Sequence, residues 1–119
     1  MFWKETDSSD IHSVEAVHGG DGIIRMRRFF EGKSSVGVNF HVWELDPGAS
    51  EGNHIHEDDH NYEETYYFLS GEGVMWIDGE DVPVSAGDAV LVPPGVDHGF
   101  RNTGSDPLRL VLLYGKPRD

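Results

Sequence analysis

The sequence predicts an all-β fold, a single small barrel or sandwich. Three observations carry that expectation. Short apolar runs rich in β-branched and aromatic residues recur along the chain. Each run is closed by turn-forming residues. No stretch holds a helical period of apolar residues. At 119 residues the chain supports one domain with one modest core. Its 15 glycines would weaken helices and suit tight corners between strands.

Taken in order, residues 1–20 are polar and acidic and read as an arm or an edge strand, with Phe2 and Trp3 as anchors. Residues 21–119 form the barrel. Strands are expected over 23–30, 36–45, 65–69, 74–77, 82–84, 89–92 and 108–114. The breaks between them are Asp46-Pro47-Gly48, Ser70 to Gly73, Asp78-Gly79, Ala86-Gly87-Asp88 and Pro93-Pro94-Gly95. Asp78-Gly79 predicts a two-residue hairpin, because both of its positions need positive φ.

Charge narrows the function. The formal net charge is −13, which argues against nucleic acid and anionic membranes as partners. All nine Lys and Arg lie within residues 1–33 and 101–119, so the central region is wholly anionic. Solubility explains this simply; attraction of a cation is the functional alternative. There is no cysteine, so any metal must be held by nitrogen and oxygen. No apolar run has the length of a membrane span and the N-terminus lacks a signal-peptide core, which leads us to expect a cytoplasmic protein.

His54-Ile55-His56 is the central motif. In a strand, alternate side chains share a face, so the two imidazoles point the same way and can chelate one ion. Taken alone, the pair is equally compatible with two surface histidines. Glu64 opens a strand-like run in which Glu64, Tyr66 and Phe68 share a face, and His98 follows a stiff Pro-Pro-Gly turn. Together His54, His56, Glu64 and His98 offer three nitrogens and one oxygen. That set suits one divalent transition metal ion (Fe, Mn, Ni, Co, Cu or Zn) and is too nitrogen-rich for calcium or magnesium.

These residues sit in two motifs that resemble those of the cupin superfamily. The first is Gly48, five residues, His54-x-His56, a gap, Glu64, six residues, Gly71. The second is Gly87, five residues, Pro93-x-Gly95, two residues, His98, three residues, Asn102. The second follows the family pattern throughout. The first departs from it in the seven residues between His56 and Glu64, longer than the usual gap and rich in acid. His60 in that insert is an alternative candidate, as an additional or substitute ligand. Glu64 is preferred, and Glu63 has the wrong strand parity to replace it. The resemblance implies a cupin-type jelly-roll barrel, a metal held by the four named residues, and a homodimer that covers exposed sheet edges.

Other side chains have two readings each. Arg25 and Arg27 share one strand face, and Met26 and Arg28 the other. One arginine would grip a substrate carboxylate or phosphate inside the bowl; an exposed strand face is the simpler explanation. His41 lines the cavity or is a hydrogen-bonded core residue. Tyr66, His41 and His60 are the candidates for moving a proton. His12 and His18 are expected in solvent.

Three functions follow, all with a small-molecule substrate or ligand. The first, slightly favoured, is a metal-dependent oxygenase or dioxygenase. The second is a redox-neutral isomerase, epimerase, lyase or decarboxylase of a sugar or keto acid, with the metal as Lewis acid. The third is a non-catalytic binding module, since fold alone does not decide among them.

Overall fold

A computed structural model describes residues 1–7, 11–54 and 61–118. Ten strands account for nearly all of its regular structure: β1 (Ile11–Glu15), β2 (Ile23–Phe29), β3 (Asn39–Leu45), β4 (Ser50–His54), β5 (Glu63–Ser70), β6 (Glu72–Ile77), β7 (Glu80–Ser85), β8 (Ala89–Val92), β9 (His98–Asn102) and β10 (Leu108–Gly115). One 3-10 turn, Val17–Gly19, joins β1 to β2. A six-stranded sheet runs β1-β2-β3-β10-β5-β8, and a four-stranded sheet runs β4-β9-β6-β7. All the pairings are antiparallel. This is the all-β jelly roll expected from the chain. Among the described residues no helix is long and apolar enough to cross a membrane.

Period-two alternation builds the core. Leu108, Leu110 and Leu112 of β10 point inward, as do Tyr66 and Phe68 of β5, Ile24 and Met26 of β2, and Met75 of β6. Tyr66, Phe68 and Phe100 are fully buried, and the rings of Tyr66 and Phe100 meet edge-on at 5.8 Å. Asp78 and Gly79 take φ of 50° and 81°, the positive values the β6–β7 hairpin requires. Asn102 ties the corner where β9 ends. Its Nδ2 donates to the carbonyls of Leu45 and Asp106, and its Oδ1 accepts from Gly104 N–H.

The strand boundaries shift where partners run out. β3 starts at Asn39 rather than at Val36, because its neighbours β2 and β10 supply partners only from Phe29 and Tyr114 onward. Val36 and Val38 are left exposed in the connection. β4, Ser-Glu-Gly-Asn-His, contains no apolar side chain and gave no strand signal; pairing with β9 makes it a strand.

Candidate metal centre

β5 carries Glu64 on the inward face with Tyr66 and Phe68, and Glu64 is buried while Glu63 is exposed. β4 and β9 pair so that His54 lies opposite His98. The carboxylate therefore comes from the six-stranded sheet and both imidazoles from the four-stranded one. One ligand atom each from His54, Glu64 and His98 lies within 4.8 Å of the other two. The structure thus brings together three of the four expected donors. His56 and His60 lie outside the described residues.

The local hydrogen bonds orient these donors. His98 Nδ1 lies 2.9 Å from the Val96 carbonyl, and His54 Nδ1 lies 3.1 Å from the Gly52 carbonyl. A carbonyl only accepts, so each Nδ1 carries the hydrogen and each Nε2 is the basic nitrogen. His98 Nε2 lies 3.3 Å from Glu64 Oε1. Burial works against a charged His98, but the hydrogen bonds to Glu64 and the Val96 carbonyl, with the charges of Glu64 and Asp97, outweigh it and raise the imidazole pKa. A divalent cation between His98 Nε2 and Glu64 would compete with a proton for both groups. The Tyr66 hydroxyl donates to Glu64 Oε2 at 2.7 Å. Burial, then the charges of Glu51 and Glu64, hold that phenol well above its ordinary pKa, so it stays a donor. The donor set, its tautomers and the hydrogen bonds that orient it fit a nitrogen–oxygen metal site.

A second group, His18, Glu51 and His54, also places one ligand atom each within 4.8 Å. Neither His18 nor Glu51 was legible in the sequence as a site residue. Residues 51 and 54 have opposite strand parity, but the β4–β9 register shifts between them, and the irregularity turns both inward. Glu51 is 2% exposed, and burial followed by the charge of Glu64 pushes its carboxyl well above the usual carboxylate range. His18 is solvent-accessible as expected, yet its ring stacks on His54 with centroids 3.7 Å apart. Close backbone approach makes this possible. A Cβ on Gly52 would meet the His18 carbonyl at 2.1 Å, and one on Gly20 would meet the Ser50 carbonyl at 2.2 Å. His18 itself takes a left-handed φ of 49°.

Above these groups lies a cavity of about 230 Å³, whose lining includes Arg28, His41, Trp43, Tyr62 and Tyr114. The three arginines of β2 separate by face. Arg25 is bound to Glu44 and Asp46 at 2.7 and 2.8 Å, and Arg27 Nε donates to the Asp7 carbonyl. Arg28 lines the cavity, and its buried Nε has no hydrogen-bond partner among the described residues. His41 is 7% exposed and accepts a hydrogen bond from Trp43 Nε1 on its Nδ1 at 3.2 Å. Its Nε2 therefore carries the hydrogen and faces the Tyr114 hydroxyl at 3.5 Å. Burial and the charge of Arg28 lower its pKa to about 4, against a smaller opposing effect from Glu64, so at neutral pH it is an uncharged donor.

Known proteins agree with this architecture. A family model described as a cupin domain matches residues 41–114. An oxalate-binding protein of Thermotoga maritima is 35% identical over 102 residues, covering 84% of this chain and 82% of its own. The crystal structure of a predicted oxalate decarboxylase from Thermotoga maritima superposes with a TM-score of 0.83 at 31% identity, over 96% of this chain and 100% of that one. The polyketide cyclase RemF from Streptomyces resistomycificus shares the fold, with a TM-score of 0.77 at 21% identity over 98% and 82% of the two chains.

Proposed function

Because the chain belongs to the cupin family, we propose that it is a metal-dependent enzyme acting on a small carboxylic acid. One divalent transition metal is held by His54, Glu64 and His98, with His56 as the fourth ligand. The observation that carries this reading is the convergence of these three donors under a cavity lined by Arg28, whose buried Nε lacks an acceptor among the described residues. A guanidinium in that state is matched by a carboxylate. The oxalate-binding relative supports the same ligand chemistry.

When bound, the metal supplies Lewis acidity and a template for an oxygen-bearing head group. The residues of the chain do the rest. Arg28 holds the carboxylate, and His41 Nε2–H donates to a substrate oxygen. Tyr66 acts as a positioning residue that fixes Glu64. Glu51, whose carboxyl burial pushes well above the usual carboxylate range, is the candidate acid inside the cavity. That acid favours redox-neutral chemistry: loss of a carboxylate as carbon dioxide leaves an electron pair on carbon, and a proton from Glu51 would quench it. An oxygenase is the second reading, favoured by a nitrogen-rich donor set suited to iron or copper.

The test is elemental analysis of protein purified without chelator or polyhistidine tag, with a His54→Ala control, followed by assays with small carboxylic acids. Stoichiometric metal that is absent from the control, with carbon dioxide released and no oxygen consumed, is expected. Oxygen uptake on adding the acid would replace the redox-neutral reading with the oxygenase. Failure to take up any divalent metal would overturn both.

A further inference from the structure

The metal cavity has a larger neighbour. A chamber of about 680 Å³ opens beyond it at the end of β2 and β3, walled by Phe30, Val36, Val38 and Phe40. Arg28, His41, Tyr62 and Tyr114 line both spaces. These four side chains are packed together. Tyr114 meets His41 at 5.1 Å and Tyr62 at 5.2 Å, both edge-on, and Arg28 pairs with His41 across β2 and β3. They form a shared wall between an inner and an outer chamber, with Arg28 lining both.

We propose that the outer chamber is a specificity site for the apolar tail of a 2-hydroxy or 2-oxo monocarboxylic acid, whose carboxylate sits on Arg28 and whose head reaches the metal donors. The inference rests on the metal-carboxylate reading above and adds the substrate class. Size supports it. At roughly 30 Å³ per water-sized group, the inner cavity of about 230 Å³ accommodates about seven or eight heavy atoms, and a longer substrate must extend beyond it. Chemistry supports it as well. Val36 and Val38 are 69% and 46% exposed at the mouth, so a tail seated there removes apolar surface from water. Besides Arg28, the charged groups of the outer chamber, Glu31 and Lys116, are of opposite sign and give a second carboxylate no net attraction. A two-carbon diacid would use only the inner cavity.

The experiment compares L-lactate with L-3-phenyllactate, which share a head and differ only in the tail, by calorimetric titration of the Zn(II)-loaded full chain. Phenyllactate is expected to bind about 10-fold tighter or more. Val36→Trp, which fills the chamber from its exposed rim, and Val38→Asp should each erase that gain while leaving metal content and lactate affinity unchanged. Equal binding of the two acids to the wild-type chain would overturn the inference and leave the metal-carboxylate reading standing. A gain that survives both substitutions would also overturn it. Loss of chain–chain association in Val36→Trp without a tail preference would assign the face to a second copy instead. Binding of neither acid to metal-loaded protein would sink the inference and the underlying reading together.

Discussion

The two walls of the site hold their functional groups by different means. On the four-stranded sheet, His54 and His98 are each steered by a backbone carbonyl two residues upstream, Gly52 and Val96. On the six-stranded sheet, Glu64 and His41 are steered by side chains: Tyr66 donates to Glu64, and Trp43 donates to His41. A backbone carbonyl, in β4 for His54 and in the loop ahead of β9 for His98, is present whatever the neighbouring side chains are, so substituting those side chains should leave the imidazoles in place. A side-chain tether can be cut by one remote substitution. The first wall therefore fails only at the donors, and the second can be detuned without touching them.

The largest expected effect comes from removing a donor on the backbone-tethered wall. His98→Ala should lose nearly all stoichiometric metal and stay folded, whereas His18→Ala should keep most of it, because His18 is not among the His54, Glu64 and His98 donors. Elemental analysis with circular dichroism reads both. Retention of full metal by His98→Ala would break the assignment of that wall.

A smaller effect is expected from cutting the tether on the other wall. Tyr66→Phe leaves all three donors but removes the 2.7 Å bond to Glu64. Metal affinity should fall about 10- to 100-fold, read by competition with a chromophoric chelator. Unchanged affinity would show that packing alone positions Glu64, and the contrast between the walls would disappear.

The smallest effect concerns His41. Its folded pKa of about 4 lies below its unfolded value of 6.5. Between those values the unfolded chain binds a proton that the native chain does not, so stability falls as pH drops through that window and is unaffected above it. His41→Gln should flatten this acid limb in melting temperatures of the metal-free protein. An identical slope in the variant would mean that other groups govern acid sensitivity.

Much of the fold was legible in the sequence. Alternation in β5 and β10 and the Asp78-Gly79 hairpin are local signals, set by side-chain period and by φ preferences within a few residues. The inward face of Glu64 followed from its parity with Tyr66 and Phe68, whereas parity grouped Arg28 with Met26 without saying which arginine faces the cavity.

What the sequence determined by itself was therefore the strand pattern, the donor chemistry and the facing of residues inside regular strands, because those depend on backbone period alone. Only the tertiary structure decided that Glu51 faces the site, since a register shift against β9 overrides its parity. It alone laid His18 on His54 across 36 positions of sequence, through glycine contacts that neither segment signals separately. It also set one arginine of β2 where two chambers share a wall, because cavities are made by sheets meeting and not by any one strand.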